Sequence, residues 1–350
     1  MNHIQGKEIP GMFDGPIVPV TIRIASPMLI GQAVQLLYMI IDTVFIARID
    51  PSSTAILSGT GLAFPLFFLF MAIGISISVG VGAITGRIIG ENHRELGPRV
   101  LSSGLLISAS IALFALVAGY CFGDHFLHFL AGNKLSDDAI AYGLRFFYFL
   151  LPGFGLMLVS QSFIGMLQGE GRTGAIAKIM VISTVLNIVF DPIFIFGFHW
   201  GVAGAGIATT LSIAIATVYA LFMFKKSDAH LPLTFDLTKS KGIFIREIAR
   251  IGFPNFLSMA AMSISFMILN KIVSSIGQTE MNGWTLVGRM DQIVLIPSFA
   301  LSGATITMLS QNYGRGNLSR VMQAYRVNIL LGIVVVASVA LMYSLTCGLF

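Results

Sequence analysis

Charge is scarce in this sequence. Only 11% of the 350 residues are Asp, Glu, Lys or Arg, against 55% that are hydrophobic. A soluble domain carries about 25% charged residues, and one water-soluble core of this length has no room for so much apolar surface. The shortage is also uneven. Uncharged stretches cover 24–41, 51–86, 100–123, 146–169, 192–224, 251–270, 292–314 and 327–350, each at or near the roughly 20 residues a helix needs to cross a bilayer. Cysteine is nearly missing too: Cys121 and Cys347, both in apolar segments, support neither a disulfide framework nor a zinc site. Nor is there the alternating polarity, over about 10 residues per strand, that a membrane barrel requires. The backbone must then satisfy itself within helices. The mixed, polar first 16 residues contain no short apolar core with a small-residue cleavage site, so no cleaved signal peptide is expected. No nucleophile–base pair or metal set stands out; the chain does not read as an enzyme, and no cofactor is implied.

What is present is an all-α integral membrane pattern. Helices are expected over 17–47, 54–86, 98–122, 139–167, 174–196, 203–224, 247–275, 281–312 and 322–350. The basic residues sort by side. Sixteen Lys and Arg lie at the N-terminal end and in the even-numbered loops, among them Arg87, Arg94, Arg172, Arg246, Arg315 and Arg320, whereas Arg48 and Lys134 alone lie on the other side. Basic loops favour the cytoplasm, so the N-terminus is expected to face in, across a bacterial inner (plasma) membrane. The net charge of +5 therefore reflects orientation, and no nucleic-acid partner is implied.

The chain carries an internal echo. Arg23-Ile24-Ala25-Ser26-Pro27 opens the first helix, and Arg250-Ile251-Gly252-Phe253-Pro254 opens the seventh, 227 residues later. GRIIGENHREL from Gly86 and SQNYGRGNLSR from Ser310 align at an offset of 224 when Gly90 is set against Gly314. This points to a parallel repeat of six-helix bundles, related by an axis along the membrane normal, a build that places transport sites between or within the copies. The expected organisation is a complete N-terminal six-helix lobe at 1–224, a cytoplasmic linker at 225–246 and a partial C-terminal lobe of three helices at 247–350. Because the sequence stops at Phe350 within an apolar run, a truncated second copy is expected.

Ionisable groups inside spans are costly and mark function. Asp42 falls late in the first helix and Asp191 late in the fifth, both running outward. Asn187 precedes Asp191 by one helical turn on the same face, and Pro192 frees the carbonyl of Ile188. Thr209, early in the sixth helix, returns to the same depth. Removing a carboxylate from water penalises its charge, a second one beside it penalises it again, and the pair then titrates as a unit. Such a cluster takes up a proton, a sodium ion or a cationic substrate; local capping without function is the plain alternative. Gln32, Gln35, Tyr38, Gln161 and Gln168 line a cavity or bridge helices. Arg145 reads as an interface residue that snorkels outward, and Lys271, Arg289 and Asp291 as a local ionic group. Gly169-Glu170-Gly171-Arg172-Thr173-Gly174 matches GxGxxG but lies between membrane helices rather than in a βαβ unit, so it reads as a tight turn. Asn317-Leu318-Ser319 matches a glycosylation acceptor on the wrong side. His125 and His128, expected in an outer loop after Asp124, lack further metal ligands.

The segments PMLIGQAVQLLYMIIDTVFIARI, LQGEGRTGAIAK, VLNIVFDPIFIFGF with GVAGAGIATTLS, and SQNYGRGN resemble the multidrug and toxic compound extrusion (MATE) family, from about residue 17 onward, and in particular its DinF-like branch. The resemblance implies two six-helix lobes in a V, alternating access, and export of small organic cations driven by protons or sodium ions. It also implies a coupling-ion site in the N-terminal lobe at Asp42, Asn187, Asp191 and Thr209; a monomer is expected. A related branch has a carboxylate in the seventh helix, where this chain has Asn270 and Lys271. A flippase for lipid-linked precursors on a similar scaffold, and a non-transporting receptor or assembly scaffold, are the competing readings.

Overall fold

The computed structural model describes residues 9–50, 55–61, 63–131, 136–225, 242–276 and 278–347. It is helical throughout this range: α1 (Ile17–Ala47), α2 (Ala55–Gly61), α3 (Phe64–Gly90), α4 (Gly97–Ala131), α5 (Asp137–Glu170), α6 (Thr173–Pro192), α7 (Val202–Lys225), α8 (Gly242–Ile276), α9 (Gln278–Gly314) and α10 (Leu318–Cys347). The short α2 and α3 together form the second of the nine expected helices. Pro65 sits in the first turn of α3, where a missing N–H leaves no broken bond.

Several boundaries differ from expectation. The third helix runs on to Ala131, so Asp124, His125 and His128 are helical rather than in a loop. His128 Nδ1 lies 2.9 Å from the Asp124 carbonyl and 3.5 Å from its carboxylate, a contact one turn along the same face. The second helix continues to Gly90, which makes the GRIIG segment helical. Helix α8 starts at Gly242 and α10 at Leu318, where Asn317 caps it by accepting from the backbone N–H of Arg320 at 3.2 Å. The GxGxxG lookalike is a turn as expected. Gly171 ends α5 in the left-handed region at φ 76°, a conformation glycine adopts without strain.

Polarity is arranged inside out relative to a soluble protein. Phe129 is 80% exposed and Phe114 74%, whereas Asp191, Thr85, Ser162, Thr307 and Asn312 are fully buried. Seven described stretches are long and apolar enough to cross a membrane, and α8 and α9, at 35 and 37 residues, have the length at about 1.5 Å per residue. The chain is a multi-pass membrane protein.

With lipid on the outside, close packing rather than water exclusion joins the helices. The central element is α5. Ser136 caps its start, accepting from Ala139 N at 3.3 Å, and Asp137 and Asp138 complement its N-terminal dipole. It packs along α3 through small residues: a Cβ on Gly165 would stand 2.5 Å from the Ser78 carbonyl oxygen, and one on Gly169 2.5 Å from that of Gly82. Around this seam Val81, Ile84, Ile88, Leu101, Met166, Leu167 and Ile176 form the main apolar core.

Contacts between the first seven helices and the last three gather towards one end. Thr21 Oγ1 donates to Asn328 Oδ1 (2.8 Å) and Arg320 to the carbonyls of Met12, Gly11 and Gly15 at 3.0, 2.9 and 2.7 Å, while Asn328 Nδ2 donates to Thr305 Oγ1 (3.1 Å) within the last three helices. Beyond Asn255, which accepts from Ser76 at 3.2 Å, the α8 side chains Leu257, Ile264, Ile268 and Ile272 are exposed, as are Ile30, Leu37, Ile40 and Val44 on α1.

The Gly165 seam is tested by overpacking. Gly165→Leu forces α3 and α5 apart, which costs about 1–3 kcal/mol or more. The expected outcome is a lower melting temperature and loss of the monodisperse peak in detergent size exclusion, with Phe129→Ala unchanged on both.

Candidate functional site

Four expected residues are brought together near the ends of three helices: Asp42 late in α1, Asn187 and Asp191 in the last turns of α6, and Thr209 early in α7. Asp191 is 0% exposed and Asn187 3%; Asp42 and Thr209 are half-buried. The Asn187 amide satisfies its surroundings when its nitrogen faces the acids. It then donates to Asp191 Oδ2 at 2.9 Å and to the Tyr38 hydroxyl at 3.2 Å, and its oxygen accepts from Thr209 Oγ1 at 3.2 Å. The single Thr209 hydroxyl hydrogen is shared with the Ala205 carbonyl, 3.0 Å away. One amide thus ties α1, α6 and α7 at one point.

The two carboxyl groups of Asp42 and Asp191 face each other within hydrogen-bonding reach. Asp191 Oδ2 has its amide donor, but Asp191 Oδ1 finds no donor among the described residues. Two ionised carboxylates have only acceptors to offer, and bringing them together out of water is unfavourable unless something positive lies between. A proton shared by the pair, or a cation held by their oxygens, supplies it.

The backbone explains why the chain turns here. Pro192 ends α6, and Ile193–Gly197 forms a π-type turn closed by Phe198 N to Ile193 O at 2.9 Å. Wider turns of this kind concentrate at functional sites. Beyond it Phe194, Phe198 and Trp200 stack, with centroids 5.1 to 5.7 Å apart. The π turn was not read from the sequence; the Asp-Pro pair followed by IFIFG is the signal that marks it.

Other expected residues fall elsewhere. Tyr38 belongs to the cluster itself. Gln35 is exposed on α1. Gln161 lies on α5 against Gly74 of α3, and no described contact joins it to the acids. Gln168 bridges helices, donating to the Gly303 carbonyl at 3.3 Å. Arg145 is exposed, in line with the structural role. The side chains of Lys271, Arg289 and Asp291 lie outside the described residues. Among the described residues no group of three or more His, Cys, Asp or Glu is placed to hold a metal ion.

Long apolar helices closed around a small acidic polar centre are the build of a membrane transporter. The family model MatE matches residues 27–193 and again 254–349, and the chain belongs to the MatE family. The second match opens 227 residues after the first, the spacing between the RIASP and RIGFP segments. Among curated relatives, the multidrug export protein MepA of Staphylococcus haemolyticus is 25% identical over 336 residues, covering 96% of this chain and 73% of that protein. A solved MOP superfamily transporter from Pyrococcus furiosus Vc1, reported with a binding pocket of reverse polarity, matches with a TM-score of 0.86 at 26% identity, over 95% of this chain and 72% of that one. An outward-facing multidrug resistance MATE family transporter shares the fold, with a TM-score of 0.89 at 24% identity, over 98% of this chain and 75% of that one.

Asn187→Leu keeps the branched outline of the side chain but removes the amide that joins the three helices. It is expected to lower stability by about 1–3 kcal/mol, the cost of leaving buried partners unsatisfied, seen as a lower melting temperature of the purified protein. Thr209→Val, which removes only one partner of the amide, is expected to cost less.

Proposed function

We propose that the chain is a cation-coupled exporter of small organic cations, working by alternating access in the bacterial plasma membrane. The observation that carries this reading is the facing pair of acids with one buried oxygen lacking a donor. Such a pair is incomplete without a proton or sodium ion, and a cationic substrate competes for the same charge. The curated relatives are multidrug export proteins, which supports drug-like substrates. The DinF-like branch is favoured by the LNIVFDPIFIFG segment, because it supplies both Asn187 and Asp191.

The cycle needs few parts. With the site open to the outside, Asp42 and Asp191 take up the coupling ion, with Asn187, Thr209 and Tyr38 arranging their oxygens. Neutralising the pair removes its hold on a cationic substrate, which leaves outward. Exchange of one cation inward for one monovalent cation outward is electrically neutral, so the ion gradient drives it, at about 1.4 kcal/mol per tenfold. A second inward charge would add about 2.3 kcal/mol per 100 mV of membrane potential; two carboxyl groups have the capacity for it. The basic end, holding Arg87, Arg94, Arg315 and Arg320, is read as cytoplasmic by the positive-inside rule. Residues 1–224 are read as one lobe, 225–246 as the linker and 247–350 as part of the second, and the working unit as a monomer.

Ethidium efflux from cells expressing the chain tests the reading. Efflux is expected to collapse with a protonophore or with removal of sodium, according to the ion used. Asp191→Asn is expected to lower it at least about 100-fold, as loss of a group the cycle requires, while the protein remains in the membrane at its normal level. Unchanged efflux by that variant would discard the assignment.

A further inference from the structure

The RIASP and RIGFP segments, 227 residues apart, take no part in the acid pair. At that offset α1 and α8 are turned alike. Thr21 and Ala25 of α1 are buried, and so are their counterparts Ile248 and Gly252 of α8. The first pair faces α9 and α10, the second Ser76 and Gly80 of α3. The opposite faces also match. Ile30 and Leu37 are 62% and 58% exposed, and their counterparts Leu257 and Ile264 are 58% and 57% exposed. Steps of seven residues keep these side chains on one face, with a drift of only about 20° per step. Arg23 heads that face on α1 and Arg250 heads it on α8, and both arginines are exposed.

Depth and charge then agree. Val44 and Ile272 are the last exposed aliphatic side chains of the two faces. From Arg23 to Val44, and from Arg250 to Ile272, each face runs about 30 Å at about 1.5 Å per residue, the thickness of the hydrocarbon core. The arginines therefore stand at headgroup level. Helical side chains lean towards the N-terminus, which here carries each guanidinium further out of the hydrocarbon. Among the described residues, no carboxylate lies within ion-pairing distance of Arg23, Arg246 or Arg250. Glu247, beside Arg246 in sequence, reaches Arg87 instead, at 2.8 Å.

We propose that Arg23 and Arg250 are equivalent binding sites for anionic phospholipids, one on each copy of the repeat. The forked guanidinium takes the phosphate, and an acyl chain lies along the aliphatic face below it. A soluble anion makes no use of that face. A lipid whose phosphate carries a neighbouring ammonium is held less well, because the second charge is repelled. The second copy has one more feature. Arg246 is exposed one turn before Arg250 on the same side, which sets two guanidinium groups about 6 Å apart along the axis. That spacing suits a lipid with two linked phosphates, cardiolipin. Arg23 has no such companion, since Pro19 stands four residues before it. The positive-inside rule puts both sites in the inner leaflet, and neither depends on the export reading.

Native mass spectrometry of the full chain, delipidated in detergent and titrated with single lipids, tests this. Phosphatidylglycerol is expected to bind in two steps, each at least about fivefold tighter than phosphatidylcholine, the worth of one basic residue at an anionic surface. Arg23→Gln and Arg250→Gln should each weaken one of those steps by about fivefold. Arg246→Gln with Arg250→Gln should weaken the tightest cardiolipin step by about 25-fold, one such factor per arginine, whereas Arg23→Gln should leave that step unchanged. Arg48→Gln removes the same charge from the exposed outer end of α1 and should change neither lipid. Equally tight phosphatidylcholine, an equal loss with Arg48→Gln, or no loss with Arg23→Gln or with Arg250→Gln overturns the sites. Displacement of the lipids by equimolar glycerol phosphate would show that phosphate alone is read, and would overturn the lipid assignment. A glutamine variant that fails to purify is replaced by lysine, which keeps the charge without the fork and should give a smaller loss in the same direction; no loss there overturns the site as well.

Discussion

Two ionised carboxylates cannot face each other away from water with nothing positive between them, and the packing of α1, α6 and α7 sets up that constraint. Asp42 and Asp191 come from the far ends of α1 and α6. Neither helix alone could create the problem, and neither alone could solve it. The amide of Asn187 satisfies one Asp191 oxygen and holds Tyr38 and Thr209 in reach. The other oxygen has no donor among the described residues. Fixed partners would have stabilised the fold but filled the site permanently, so the unmet acceptor is consistent with reversible ion binding.

The remaining architecture packs closely around this point. The α3–α5 seam is glycine against backbone within one core of apolar side chains, the kind of packing that transmits displacement rather than absorbing it. The last three helices join the others through apolar as well as polar contacts: Phe244 and Ile248 of α8 are buried in the main core, Leu301, Ala304 and Met308 of α9 pack with Ile24 and Met28 of α1, and Arg87 pairs with Glu247 at the surface.

Much of this was readable in the sequence because membranes impose simple rules. Eight uncharged runs guided the placement of the nine expected helices, since the bilayer sets a length and penalises charge within it. Depth along alternating helices was enough to gather Asp42, Asn187, Asp191 and Thr209 before any contact was seen. Helix ends were harder: α4 runs to Ala131 and carries Asp124 and His128 one turn apart, although their polarity suggested a loop. The role of Tyr38 was only half legible, as one cavity-lining polar residue among several, because its place depends on how α1 rotates against α6. The π turn after Pro192 depends on a backbone geometry that no periodicity reports.

The central claim is that the acid pair holds a cation at rest. Infrared difference spectroscopy of the purified protein in sodium-free buffer at neutral pH addresses it directly. The account predicts a protonated-carboxyl band that is missing from both Asp42→Asn and Asp191→Asn, or, if sodium is the ion, one that vanishes when sodium is added. Spectra in which neither substitution removes any carboxyl band, with or without sodium, would contradict it.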